Sequence, residues 1–233
     1  MRRAFLILAM ALVPLAFAGE AHATNECRGL DVCISVPGPW VAVPAAPATG
    51  VTTTYFQLTC PKGSIAGGLD AILGDRTLDV AFLGKLGSPV NPGITTSRSV
   101  VFVATYARGA PTAFRPVLGC IPTSGGGGRS TTAYHPVVVK PQPVLRRVHA
   151  FPLRGVARHV TASCRGGERL VGWSSATGLR TKRQPGAAVL SGVQVATRRD
   201  GNAVVVRATR TTAVPRGLRV VVQVHLLCAR GPR

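Results

Sequence analysis

The 233-residue sequence is short of helix formers, with three glutamates and four lysines. Beyond its first two dozen residues, no stretch stays free of glycine and proline long enough to carry apolar residues at helical spacing. A helical architecture is therefore excluded. No later apolar segment approaches the roughly 20 residues a membrane helix needs, so the mature chain is expected to lack a transmembrane segment. Aromatic residues make up only 5% of the chain and no recognition motif frames them, which argues against sequence-specific nucleic-acid binding. Trp40 and Trp173 lie among apolar neighbours and read as core anchors rather than sugar platforms.

Catalytic patterns are equally thin. There is no Gly-x-Ser-x-Gly elbow. His135, His149, His159 and His225 show no metal-ligand spacing on a helix, and no pattern calls for a metal or a cofactor. His159 and His225 each lie a few residues before a cysteine, and are expected to neighbour one another in one sheet. Asp70, Asp75 and Asp79 form the one acidic cluster, but their spacing fits neither a calcium loop nor a glycosidase pair.

What is present begins at the N-terminus. Arg2 and Arg3 precede an uncharged apolar run of 15 residues, Ala4 to Ala18, followed by the small-x-small site Ala21-His22-Ala23. This order predicts a signal peptide over 1–23, cleaved near Ala23, and hence a secreted or envelope protein. The Arg-Arg pair leaves the export route open, ordinary secretion being favoured over the twin-arginine route. All six cysteines, Cys27, Cys33, Cys60, Cys120, Cys164 and Cys228, follow the signal. An even number in an oxidising compartment points to disulfides. Cys27 with Cys33 would staple a loop over 24–35. The other four divide into Cys60 with Cys120 and Cys164 with Cys228, 60 and 64 residues apart, spacings too wide for a zinc site.

The remainder consists of short Val/Thr/Phe segments punctuated by Gly, Pro and Ser, the signature of an all-β protein. The two wide cysteine pairs have similar surroundings. Phe56, Leu58 and Cys60 share one face of an alternating segment, as do Val160, Ala162 and Cys164. Pro61-Lys62-Gly63 and Arg165-Gly166-Gly167 follow, then glycine beside bulky residues. Val100 to Thr105 matches Ala203 to Ala208, and Pro39–Pro44 is echoed by Pro136–Pro141. Alternating strands end in Cys120 and Cys228. The prediction is two tandem disulfide-stapled β-sandwich-like modules, 36–122 and 134–230, joined by a Gly-rich linker over 123–133. Whether they pack as one domain is left open, as is the oligomeric state.

Cys60 with Gly63, Gly67 and Gly68, Cys164 with Gly167, and the late Cys120-Ile121 and Cys228-Ala229 together resemble a group of uncharacterised exported bacterial β-rich proteins with duplicated Cys-x-x-Gly…Cys modules. The resemblance implies an exported β module and carries no known chemistry.

Charge divides the chain sharply. Residues 24–139 hold eight basic and five acidic residues (+3), and residues 140–233 hold eighteen and two (+16). Arginine forks bind phosphate and carboxylate bidentately, so a one-sided basic surface attracts polyanions. Arg146, Arg147, Arg180, Lys182, Arg183, Arg198, Arg199, Arg207 and Arg210 are the candidate contacts to an anionic wall polymer or anionic surface. The alternatives are a composition-driven, merely solvated face, a hydrolase of extracellular polymers using Asp70, Asp75 or a histidine, and a structural envelope component.

Overall fold

The computed structural model describes residues 33–83, 97–123 and 144–230. The predicted signal peptide, the Gly-rich stretch 124–133 and the Pro136–Pro141 echo lie outside the described residues. So does Cys27; Cys33, its expected partner, is disulfide-bonded.

The first half contributes β1 (Ile34–Pro37), β2 (Trp40–Val43), β3 (Thr52–Thr59), β4 (Ser64–Leu73), β5 (Asp79–Leu83), β6 (Ser99–Tyr106) and β7 (Thr112–Pro122). The second contributes β8 (Val144–Leu153), β9 (Ala157–Ser163), β10 (Glu168–Arg180), β11 (Val193–Asp200), β12 (Ala203–Arg210) and β13 (Arg219–Arg230). One helical turn, α1 (Ala187–Leu190), interrupts the all-β chain where no helix was expected. Four residues are too few for apolar periodicity to announce them.

A curled seven-stranded sheet runs through both halves, with β7 flanked by β4 on one edge and by β1 and β2 on the other. β2 then pairs with β10, followed by β13 and β8. Among the described residues two three-stranded sheets, β3-β6-β5 and β11-β12-β9, accompany this sheet. Because side chains alternate faces along a strand, the large sheet feeds two cores from opposite faces. Val41 and Val43 join Phe56, Phe102, Phe114 and Leu118 under the first small sheet. Trp40 joins Leu179, Val206, Val222 and Leu226 under the second.

The halves share one pairing scheme. β3 and β5 flank β6 as β9 and β11 flank β12, and β4 pairs β7 as β10 pairs β13. Cys60–Cys120 and Cys164–Cys228 each tie the small sheet to the large one through the core, with Cα–Cα distances of 5.7 and 5.8 Å. Gly63 (φ 77°) and Gly167 (φ 76°) turn the chain after each first cysteine, a left-handed conformation that glycine adopts without a Cβ clash. Each following strand carries an irregularity at the same place, between Ala66 and Gly68 and between Leu170 and Gly172, opposite the second cysteine.

The match of Val100–Thr105 to Ala203–Ala208 is one residue out of register. Ser99 pairs with Thr59 as Ala203 pairs with Ser163, so Val100 corresponds to Val204. The apolar runs look alike in either register, but a one-residue slip exchanges the faces, and burial of Val100, Phe102, Val204 and Val206 fixes the choice.

The seam between halves is extensive. At Gly178, opposite Val41, a Cβ would lie 2.5 Å from the Pro39 ring, so only glycine admits this approach. The Gln223 side-chain amide pairs with the edge of β3, accepting from the Gln57 N–H and donating to its carbonyl, both at 2.8 Å. It thereby satisfies an edge that would otherwise stay open.

Candidate functional site

A cleft of about 570 Å³ opens at the end of the large sheet, between the tip of β8, the loop 211–218 and the facing ends of β10 and β13. Its floor is apolar, with Phe151, Leu153 and Val220 each at most 5% exposed. Five arginines line it, Arg154, Arg180, Arg210, Arg216 and Arg219, and among the described residues no carboxylate does.

Arg180 and Arg219 are directly opposite one another in the β10–β13 ladder. Like charges in that position repel, and neither guanidinium makes a hydrogen bond or ion pair among the described residues. The guanidinium groups of Arg154 and Arg216 are likewise without a partner among the described residues. Arg210 plays a different part. Its Nη2 donates to the carbonyls of Leu153 (2.9 Å) and Leu218 (3.0 Å), and Nη1 to that of Arg216 (3.2 Å), fastening the loop that forms one wall.

The sequence-predicted cations divide. Arg180 and Arg210 line this cleft, and Lys182 lines an adjoining one. Arg183 is exposed in the connection after β10. Arg198 and Arg207 are exposed on the outer face of the second small sheet. Arg199 is held to the carbonyls of Gly201 (3.0 Å) and Leu170 (3.1 Å). Arg147 makes a bidentate ion pair with buried Glu168. That pair holds the Glu168 carboxyl down to about 2 and removes Arg147 from the free cations. Arg146 stacks over Tyr55 at 4.4 Å across the seam, and its burial lowers its pKa. Arg154, Arg216 and Arg219 complete the cleft although they were not among the nine; each stands at a strand end or in a loop, where alternation gives no signal. Counting back from the disulfide does give one: with Cys228 opposite Leu170 and one irregularity between, Arg219 falls opposite Arg180.

The acidic and histidine candidates are placed elsewhere. Asp75 accepts from the Thr77 N–H and hydroxyl, both 2.8 Å, and from the Tyr106 hydroxyl at 2.9 Å. These bonds fix the β4–β5 turn and lower its pKa, keeping it ionised. Asp70 accepts from the Ala71 N–H at 2.7 Å. His159 and His225 are not neighbours in one sheet. His159 is exposed on β9, opposite Arg207, while His225 is fully buried in the large sheet. Both precede cysteines, but on strands that belong to different layers. His225 faces the first half, near Tyr55 and hydrogen-bonded to Gln223 at 3.1 Å; burial, and then the nearby Arg146, push its pKa down to about 3. His135 lies outside the described residues. Trp40 is a core residue, and Trp173 is 38% exposed with its Nε1 donating to Thr197 at 3.0 Å.

Cys164, Glu168 and Cys228 offer a compact trio of metal-ligand types. The two sulfurs are bonded to each other and the carboxylate is bonded to Arg147, so no metal site is formed by them. The disulfides mark an oxidising, extracytoplasmic setting, and among the described residues no helix is long and apolar enough to cross a membrane. No family model, curated protein or solved structure matches the chain.

Proposed function

We propose that this is an exported, non-enzymatic protein formed by duplication of one β unit, whose second copy binds an extracellular polyanion through its arginine cleft. The duplication is supported by the shared pairing scheme, disulfides, left-handed glycines and strand irregularities. The single observation that carries the binding reading is Arg180 facing Arg219 across the ladder, beside Arg154 and Arg216, with no carboxylate among the described residues lining the cleft. A fold gains nothing from such an arrangement, whereas an oxyanion between two guanidinium forks satisfies both. Violations of a local stability rule concentrate where function requires them.

The test separates the two. Arg180→Gln/Arg219→Gln relieves the repulsion and is expected to leave the protein as stable as wild type, or up to about 1 kcal/mol more stable. The same variant should elute from an immobilised polyanion such as heparin at markedly lower salt. Arg198→Gln/Arg207→Gln, on the outer face, should elute near wild type. Absence of wild-type retention, or equal loss in both pairs, would overturn the reading.

A further inference from the structure

The arginine cleft does not end at Arg180. A second cleft of about 360 Å³, lined by Gly38, Arg115, Arg180, Thr181 and Lys182, shares that residue and, among the described residues, also lacks a carboxylate. Arg115 comes from β7 of the first half, and its guanidinium is held by a 3.0 Å bond from Nε to the Gly38 carbonyl. Lys182 makes no hydrogen bond or ion pair among the described residues. A cationic run therefore passes from Arg216 and Arg219 through Arg180 and Lys182 to Arg115. It crosses the seam where β2 pairs with β10.

We infer that the two clefts form one track for a linear, non-aromatic polymer of oxyanions, phosphate or uronate, that contacts both halves at once. This rests on the reading of the first cleft as an anion site. Three observations select the ligand class. The cations line two concavities that share Arg180 rather than a flat or convex face, which suits a chain better than a lipid surface. Among the described residues, the one aromatic lining either cleft is Phe151, which is 5% exposed and has the Arg158 guanidinium 5.4 Å from its ring centroid. Nucleic-acid bases would have no stacking platform there. Arginine forks at both ends match oxygens spaced along a repeating anion. Confinement of the charge excess to the second copy therefore understates the site, because one of its fixed cations belongs to the first.

The experiment titrates the full mature chain with tripolyphosphate, long-chain polyphosphate, polygalacturonate, an oligothymidylate and vesicles containing anionic lipid. A long polyphosphate or polyuronate is expected to bind at least tenfold more tightly than tripolyphosphate, which occupies the first cleft alone. Arg115→Gln should weaken the long chain several-fold and reduce the salt slope of log K by about 0.7, while leaving tripolyphosphate affinity unchanged. Lys182→Gln carries the same test without touching an intramolecular hydrogen bond. If the Arg180→Gln/Arg219→Gln pair abolishes binding but Arg115→Gln and Lys182→Gln leave the long chain unaffected, the track is wrong and the single cleft stands. Tighter binding of the oligothymidylate or the vesicles overturns the ligand class, and no binding of any probe overturns both readings.

Discussion

Tyr106 and Arg210 occupy corresponding positions at the ends of β6 and β12, one in each half. Both fasten a neighbouring loop, but with different chemistry. The Tyr106 hydroxyl donates to Asp75, an acid inside its own half. Arg210 donates to the carbonyls of Leu153, Leu218 and Arg216, which bring no negative charge. Corresponding positions carry different chemistry elsewhere along the frame too. Ser64 stands where Glu168 does, and Val117 stands where His225 does. One pairing scheme thus supports a nearly neutral half and a strongly cationic one. Most of the difference in charge lies in loops, strand ends and outer faces, since both cores are built on apolar residues and disulfide-tied.

The comparison is sharpest where the halves are expected to behave alike. Replacing Cys60 and Cys120 by alanine, or Cys164 and Cys228, opens loops of similar length, each worth about 4 kcal/mol in the chain-entropy model. Denaturant unfolding should show near-equal losses and, because β2 joins both halves of the sheet, a single transition. Two separate transitions would break the account of a shared sheet.

The next largest effect should divide the halves. Glu168→Ala strands Arg147 beside the second disulfide and is expected to cost roughly 3 kcal/mol, as for breaking a buried ion pair. Ser64→Ala at the corresponding place should cost under about 1 kcal/mol. The Glu168 carboxyl is depressed from 4.5 to about 2, so its contribution is complete above pH 4.5 and lost as pH falls toward 2.

His225 gives the second half its own pH response. Its ring is held neutral down to about 3, against 6.5 when unfolded. Between those values the unfolded chain binds the extra proton, so stability is complete above 6.5 and falls by up to about 1.4 kcal/mol per pH unit below it. His225→Val, which copies Val117, should flatten that slope in thermal midpoints measured from pH 7 to 4. An unchanged slope would place the titration elsewhere. The smallest effect should again be shared: Gly63→Ala and Gly167→Ala, both at positive φ, should each cost about 1 kcal/mol.

Much of this frame was legible because disulfide-bearing strands announce themselves by alternation. Phe56, Leu58 and Cys60 face the core as their pattern requires, and Pro61-Lys62-Gly63 and Arg165-Gly166-Gly167 form the turns after the first cysteines, their left-handed glycines being visible only in the structure. The route of β2 was not legible. Trp40-Val41-Ala42-Val43 is apolar at every position, and only tertiary structure reveals that it serves both cores, Trp40 in one and Val41 in the other. The clefts escaped for a related reason. Arg115 lies within β7, and Arg154, Arg180, Arg216 and Arg219 lie at strand ends or in loops, so no single sequence window contains them; of these only Arg180 stood among the nine candidates, whereas both adjacent pairs Arg146-Arg147 and Arg198-Arg199 did. Arg146, Arg147 and Arg199 are instead occupied by Tyr55, Glu168 and the Leu170 carbonyl.

On the proposed function, the cationic character of the second half is concentrated into a binding site rather than spread over a solvated face. Calorimetric titration of long-chain polyphosphate into wild type, Arg180→Gln/Arg219→Gln and Arg198→Gln/Arg207→Gln compares two variants of equal net charge. A loss of tenfold or more confined to the Arg180/Arg219 variant is the expected result; equal losses in both would contradict it.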